Sequence, residues 1–591
     1  MYKLKTVKAL IKARRSWYLY DWANQAFALS VLAIFIPNYI TTLFDTASGG
    51  GKEILGFTVT GSGFFAFTLS VTTFLAAIIS PLIGVIVDHY PIKKKILWRF
   101  TILGVIATML IGIVPFMGFQ LPLITIFFML ANIGFCGGNA VYYAFIPSLS
   151  DNNCSVDEIS SKGCSYGFAG GVTLLIFHIL FLNIVGNAPW TLSVIFISSG
   201  LWWISWGYFL FKFTPEPKIY ISKQKSNEKL FTLAIDGIKD TLKNMKNYSQ
   251  LFLFLIAYFL FFDGVNTIAS IAVSFGTDEF RLSQAASGLL GIVANLTAVP
   301  MTIIFGKIAE KIGSKKTLMC ALSVYCIFVP IMIGLAPLEL GTPNNKHELE
   351  RYDVQLRWDK EKDKYFISTL YNKSLCCESS SWISSTAQGD SVFRNAIKNT
   401  LLIKDPALSK KENITSLEIS DEDVTILLNK LQANNNHRFS LGINGGAHHE
   451  MIIIGNDHPT IFGDGLIDFW PTLLRDYIWS PLNLSINLQY ILMGLIIGSV
   501  MGTITAQGRT MITELVPKKQ ISEFFGFFSF IMKAVAVVGP LIFFIISSML
   551  DNRSALLSIV FVIFIGTFLC ALVDMEKGKK EASIANKTRS K

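Results

Sequence analysis

Residues Trp17–Phe27 read Trp-Tyr-Leu-Tyr-Asp-Trp-Ala-Asn-Gln-Ala-Phe, and residues Phe261–Ile268 read Phe-Phe-Asp-Gly-Val-Asn-Thr-Ile. Each stretch lies in a long apolar segment. Each sets an acid and an amide three residues apart, Asp21 with Asn24 and Asp263 with Asn266. Residues at that spacing share one face of a helix. An ionised Asp at the centre of a lipid-embedded helix costs about 2.5–3.5 kcal/mol on insertion scales, so such acids are rare and face protein or water. Writing the pattern twice points to a membrane protein built from two related halves.

The composition agrees. Of 591 residues, 52% are hydrophobic and 16% charged, against about 25% charged in an average globular chain. The net charge of +10 is carried in short connections between apolar segments, which is a topology signal. No basic stripe is interleaved with exposed aromatics, so nucleic acid is not an expected partner. The first apolar segment is long, follows a basic arm (Lys12, Arg14, Arg15) and lacks a small-residue cleavage pattern, so it is expected to be a retained helix. Eight cysteines are scattered without a repeated C-x-x-C framework, which argues against a zinc site or a disulfide scaffold.

Twelve segments reach the length of about 20 residues needed to cross a bilayer. They are helix 1 (Trp17–Ile40), 2 (Gly61–Val87), 3 (Ile96–Gly118), 4 (Gln120–Ile146), 5 (Cys164–Val185), 6 (Trp190–Phe211), 7 (Ser249–Gly276), 8 (Ala285–Ala309), 9 (Lys316–Ala336), 10 (Ser485–Met511), 11 (Phe524–Leu550) and 12 (Ser554–Val573). The expected organisation is a six-helix half (1–211), a central loop (212–248), helices 7–9 (249–336), an inserted domain (337–484), helices 10–12 (485–574) and a tail (575–591). Lysines collect after helices 2, 8, 10 and 12, while the 3–4 and 5–6 connections carry no Lys or Arg. That bias puts both termini in the cytoplasm. The two halves repeat a second landmark. Gly84, Asp88 and the lysines Lys93 and Lys94 after helix 2 match Gly306, Glu310 and Lys311 after helix 8. The glycine lets a neighbouring helix approach, and the acid can pair with a base of the next loop and hold one access state closed. An all-α membrane protein of two six-helix halves, related by an axis along the membrane normal, has the arrangement of a major facilitator transporter.

A closer resemblance rests on Trp17–Phe27, Phe261–Ile268, Ala-Val-Tyr-Tyr-Ala-Phe-Ile-Pro (Ala140–Pro147), Ser160-x-x-Gly163 with Tyr166–Gly171, and Leu201-Trp202-Trp203. It also rests on Gln507, Arg509, Pro517, Glu523–Phe528, Lys533 and Gly539-Pro540. These residues resemble the signatures of one major facilitator subgroup, long called the unknown major facilitator family, which is related to the autophagy-linked vacuolar amino-acid effluxers of fungi. The chain departs from the pattern in helix 4, where the family asparagine is missing or displaced to Asn139, and in helix 10, which has Gly508-Arg509-Thr510. The resemblance implies solute efflux, with amino acids as substrate, in a bacterial inner membrane or a vacuolar membrane.

The residues make their own case for a polar solute. Asp21 and Asp263 oppose Arg509 and Lys533, all within apolar helices. Opposed charges in a bundle pair with one another. A zwitterion offers an ammonium to a carboxylate and a carboxylate to Arg or Lys. Fixed ion pairs that lock helix packing are the structural alternative. The substrate or proton path is therefore assigned to Asp263, Asn266, Arg509, Gln507, Tyr142, Tyr143, Asn139 and Lys533. The cytoplasmic gate is assigned to Asp21, Asn24, Gly84, Asp88, Lys93, Lys94, Gly306, Glu310 and Lys311. One tension remains: at about 1.5 Å per residue, Asp263 lies about 20 Å past Ser249, but Asp21 only about 9 Å past Arg15. Either helix 1 starts earlier, with Arg14 and Arg15 snorkelling, or the two acids do different jobs. His178 reads as a packing residue that could also titrate.

No phosphate-binding loop and no nucleophile constellation occurs, so neither ATP nor enzymatic turnover is expected. No cofactor or metal is expected, and protons are the candidate coupling ion. The segment 337–484 faces outside or into a lumen. Tyr352, Val354, Leu356 and Trp358 alternate with polar residues and lead through Asp359–Lys364 into Tyr365–Tyr371, a β-hairpin pattern. Ser420-Asp421-Glu422-Asp423 caps a helix to about Ala433. A small α+β unit follows. His448, His449, Glu450, Asp457 and His458 do not have standard metal spacing. Cys376-Cys377 could form a vicinal disulfide or stay as thiols, and Asn372, Asn413 and Asn483 sit in glycosylation sequons. The inserted unit could bind a protein partner. A receptor or assembly protein, with this unit as its working module and the helices as anchor, is the alternative to a transporter.

Overall fold

In hydrocarbon each backbone N–H and C=O must be satisfied within its own segment, so apolar runs of this length fold as helices. The computed structural model describes residues 7–48, 52–217, 248–367, 417–517, Phe524 and 538–588, apart from breaks at 55–56, 60, 152, 187–188, 281, 283, 438, 457, 464–466 and 551. Among the described residues, 11 helices are long and apolar enough to cross a membrane. The remaining expected span, helix 11, is described as Val538–Met549 only. A further helix, Met575–Thr588, follows helix 12.

Helix 1 differs from expectation. It starts at Val7, ten residues before Trp17, and continues from Ala26 through a π-helical stretch, Phe27–Phe35, into Ile36–Ser48. The basic arm is therefore part of the helix. Arg14 does not snorkel: it is buried, pairs with Asp151 at 2.7 Å and donates from Nε to the Leu149 carbonyl at 2.8 Å. Arg15 is exposed. The earlier start removes the mismatch in depth. Asp21 lies fourteen residues past Val7 and Asp263 fourteen past Ser249, about 21 Å in each case. Helix 4 stops as an α-helix at Tyr142, tightens to a 3-10 turn over Tyr143–Phe145 and adds one turn, Ile146–Leu149, with a proline in its first turn.

Small residues let the helices touch. A Cβ at Gly163 would lie 2.4 Å from the Trp17 ring, so helix 5 meets helix 1 there. A Cβ at Gly498 would lie 2.3 Å from the Ala294 carbonyl, which sets helix 10 against helix 8. Helix 5 also packs across the two halves, against helices 8 and 10.

A short antiparallel pair, β1 (Lys52–Ile54) and β2 (Phe57–Val59), precedes helix 2, and between helices 9 and 10 β3 (Val354–Asp359), β4 (Lys364–Ile367), β5 (Leu417–Ile419), β6 (Ser440–Asn444) and β7 (Ile452–Ile454) form a five-stranded sheet of order β5-β4-β3-β6-β7. β3 and β4 form the expected hairpin, with Trp358 opposite Tyr365. β3 pairs with β6 in parallel, and the other neighbours are antiparallel. Helix Asp421–Gln432 is capped by Ser420, whose hydroxyl accepts from the Asp423 N–H. It buries Val424, Leu427, Leu428 and Leu431 against Val354, Leu356, Leu441 and Ile443 of the sheet. Gln355, expected on the polar face, is buried and donates to the Tyr352 carbonyl. Cys376, Cys377, Asn372 and Asn413 lie outside the described residues.

Candidate functional site

Helix 1 is fixed on helix 4 by a wall of aromatic rings. Trp17 stacks on Tyr142, centroids 4.5 Å apart and 8° from parallel, and the Tyr20 ring also lies 4.8 Å from Tyr142, tilted by 32°. Two hydrogen bonds lock the wall: Tyr142 donates to the Trp17 carbonyl at 2.9 Å, and Trp17 Nε1 donates to the Tyr142 carbonyl at 3.3 Å. Asp21 stands one turn beyond Trp17, and Tyr143 is the next residue after Tyr142. Both meet Arg509 of helix 10, from the other half of the chain. Arg509 Nη1 lies 3.4 Å from Asp21 Oδ2, and Nη2 donates to the Tyr143 hydroxyl at 2.9 Å. The guanidinium also lies over the Tyr143 ring at 4.1 Å. Asp21 is 0% and Arg509 4% exposed. A lone buried charge would be costly, so the pair exists only as a unit.

Serines of helix 5 stitch the halves together around this unit. Ser160 donates to the Ala506 carbonyl at 2.8 Å, and Ser165 to the Val299 carbonyl at 2.7 Å. Gln507 Nε2 donates to the Ser161 hydroxyl at 3.4 Å. A Cβ at Gly306 would lie 2.6 Å from Ser161, so the glycine admits helix 5. Ser155 donates to Glu310 Oε1 at 2.8 Å. These contacts use the first half of helix 5 and the C-terminal halves of helices 8 and 10, toward the terminal end of the bundle.

The structure thus brings together Asp21, Tyr142, Tyr143 and Arg509, with Gln507 beside them. It joins Asn24 Nδ2 to Asn139 Oδ1 at 2.7 Å. It places Asp263 elsewhere. That acid is buried against helix 11, where a Cβ at Gly539 would lie 2.8 Å from Asp263 Oδ1 and 2.1 Å from Thr267 Oγ1. Asn266 is half-buried on the same helix. Lys533 and the side chain of Asp88 lie outside the described residues. Gly84 and Lys93 are buried. Lys94 works between helices 3 and 6: its N–H donates to Glu216 at 3.0 Å and its Nζ to the Thr214 carbonyl at 2.8 Å. Burial holds the Glu216 carboxyl above its ordinary value. Lys311 lines a shallow basic cleft with Lys315 and Lys316.

Several participants are not in the set read from the sequence. Ser160, Ser161 and Ser165 escape because a serine in an apolar helix usually bonds its own preceding turn, and Ser155 because it reads as the N-cap of helix 5, whose hydroxyl accepts from the Glu158 N–H. The signal was their clustering with Gly163, Cys164 and Gly167 on one helix. Arg14–Asp151 also escapes, and the hydrogen bond from Arg14 holds that carboxyl below the usual range. His178 is a packing residue with two partners, Ser30 at 2.6 Å and Ser198 at 2.9 Å. In the inserted unit the histidines go separate ways: His458 to Asp353 and Thr460, His448 to Thr425 and Met451, and His449 to the Gly445 N–H.

A family model described as "Vacuole effluxer Atg22 like" matches residues 11–356 and 464–583. The chain is 29% identical over 331 residues to the MFS-type transporter YxiO of Bacillus subtilis, covering 54% of this chain and 73% of that protein. It is 24% identical over 346 residues to autophagy-related protein 22 of Vanderwaltozyma polyspora, covering 50% of this chain and 66% of that protein. Among solved structures, it superposes on the major facilitator transporter FucP with a TM-score of 0.52 at 9% identity, covering 96% of this chain and 99% of the other. A double-tryptophan mutant of XylE gives 0.52 at 9% identity, with 98% of both chains covered.

Proposed function

The chain belongs to the Atg22-like vacuole effluxer family and is a multi-pass membrane transporter with the major facilitator fold; from that premise we propose that it exports small zwitterionic solutes, amino acids foremost, by alternating access. The buried Asp21–Arg509 pair carries the proposal. A zwitterion presents a carboxylate to Arg509 and an ammonium to Asp21, so it can replace each partner as the pair opens, and neither charge is left bare. In this reading Asp21, Asn24, Gly306 and Glu310 close the cytoplasmic end, with Gly84, Asp88, Lys93, Lys94 and Lys311 around them. Arg509, Gln507, Tyr142, Tyr143 and Asn139 bind solute. Asp263, with Asn266 and Lys533, handles the coupling proton or a second contact to solute. The membrane is a vacuolar or a bacterial inner one, with both termini in the cytoplasm.

The test is uptake of labelled amino acids into liposomes holding the purified protein, with and without a pH gradient. Arg509→Ala and Asp263→Asn should lose flux while staying folded and monodisperse, with Arg509→Ala melting lower than the parent because it strands the buried Asp21 carboxylate. Undiminished flux in both overturns the site assignment. Flux that survives deletion of 337–483 assigns transport to the bundle. A lost protein partner, with no flux for any solute, assigns the function to the inserted unit.

A further inference from the structure

The segment joining the inserted unit to helix 10 carries an apolar stripe that faces away from the protein. Residues Phe469–Leu474 form an α-helix that continues as the π-helical turn Arg475–Trp479. Phe469, Leu473 and Tyr477 recur every four residues, so they line one side. They are 64%, 41% and 78% exposed, and Leu482 just beyond is 63% exposed. Apolar side chains this open call for a partner.

The place of the segment identifies that partner. Trp470 Nε1 donates to the Pro330 carbonyl at 2.8 Å, and Trp479 Nε1 donates to the Gly334 carbonyl at 3.0 Å. Both carbonyls belong to the end of helix 9, which closes at Ile333, and helix 10 begins at Ile486, so the indoles hold the segment against the exit of one span just before the chain enters the next. The segment's one cation is turned inward. Arg475 pairs with Glu339 at 2.9 Å, donates to the Thr460 carbonyl at 2.8 Å and lies over the Phe462 ring. Asp476, exposed beside the stripe, is its charged margin. The two spans that flank it are open and apolar as well, with Ile327 of helix 9 59% and Leu488 of helix 10 43% exposed.

We infer that Phe469–Leu482 is an interfacial anchor, lying in the plane of the membrane with Phe469, Leu473, Tyr477 and Leu482 in the headgroup–acyl boundary on the side of the inserted unit. Amphipathic aromatic and aliphatic side chains at the ends of spans settle at that depth. The anchor fixes the base of the inserted unit against both bundle and lipid. The inference rests on the membrane-spanning fold and not on the solute proposed above.

The experiment places a nitroxide at Tyr477→Cys, and separately at Leu473→Cys, in the full chain with its native cysteines replaced, reconstituted in phosphatidylcholine vesicles. Collision rates with oxygen, which concentrates in lipid, are compared with those of a water-soluble nickel chelate. Lys346→Cys on the exposed surface of the inserted unit is the reference. Oxygen should dominate at 477 and 473, and nickel at 346. Nickel access at 477 equal to that at 346 overturns the inference, because the stripe then faces water. Exclusion of both reagents also overturns it, because protein then covers the stripe. Hydroxyl-radical footprinting of the unsubstituted chain at one molecule per vesicle serves if cysteine replacement disturbs folding. Tyr477 should oxidise as slowly as the buried Tyr365, and oxidation as fast as at exposed His347 is the overturning result.

Discussion

Asp21→Asn removes one charge from the only described contact in which an acid of helix 1 meets a base of helix 10. The lost interaction is a charge-assisted bond between two buried side chains, 3.4 Å from Nη1 to Oδ2, of a class worth about 1.5–3 kcal/mol. Arg509 then stays buried without a counter-charge, with only neutral acceptors, the new amide oxygen and the Tyr143 hydroxyl, to receive it, which further penalises the closed arrangement. Since about 1.4 kcal/mol is tenfold in an equilibrium constant, the population with the terminal end open should rise about ten- to a hundredfold. The chain carries its own reporter. Cys164 is 5% exposed between helices 5 and 10, its thiol 3.7 Å from the Gly502 carbonyl. A water-soluble maleimide reaches it only when the halves part. Site-resolved mass spectrometry of alkylation in vesicles should show Cys164 reacting faster in the variant by that factor. Cys570, buried within helix 12, is the control and should not change. An unchanged rate at Cys164 would falsify the reasoning, and so would a matching rise at Cys570, which would mean general loosening.

Other consequences are open to measurement. Gly163→Leu drives a side chain into the Trp17 ring and should cost about 1–3 kcal/mol, seen as a lower melting temperature in detergent; an unaltered temperature would show that helices 1 and 5 do not meet there. His178→Ala strands the Ser30 hydroxyl and leaves Ser198 with only the Ile195 carbonyl, which should cost about 1–3 kcal/mol, with His178→Gln recovering part of it. Arg553→Ala leaves Glu279 and the carbonyls of Ile333 and Leu335 without their donor; breaking such a buried unit costs about 3–5 kcal/mol, and limited proteolysis should cut at the helix 9 exit first. Burial, aided by Glu158, pushes the Cys154 thiol up to about 11. Its alkylation should therefore be slow at pH 7.5 and rise about tenfold per pH unit toward that value, whereas a flat profile would contradict the buried placement.

The bundle was legible because bilayer thickness fixes the length of an apolar run, and β3–β4 because its side chains alternate. The start of helix 1 was not. A basic residue normally marks a span's edge, and nothing local says that Arg14 turns inward to Asp151. The equivalence of Asp21 and Asp263 was legible in kind and, once helix 1 was extended to Val7, also in depth. Their surroundings were not legible, since one meets an arginine 488 positions away and the other the backbone of Gly539. The π-helical stretch Phe27–Phe35 left no trace in a run whose only polar residue is Ser30.

Gln489 holds both backbone groups of Ala336: its Oε1 accepts from the N–H at 3.2 Å, and its Nε2 donates to the carbonyl at 2.9 Å. A single side chain therefore ties the point where the chain leaves helix 9 to the first turn of helix 10, 153 positions later. The inserted unit hangs from a closed neck. It is topologically a cassette: a polypeptide of that length can be lengthened, exchanged or excised without changing the separation the two helices must keep. The family model breaks over the same part of the chain, between 356 and 464. Mechanically the cassette is cargo, and any rocking of one half against the other carries it along with helices 9 and 10.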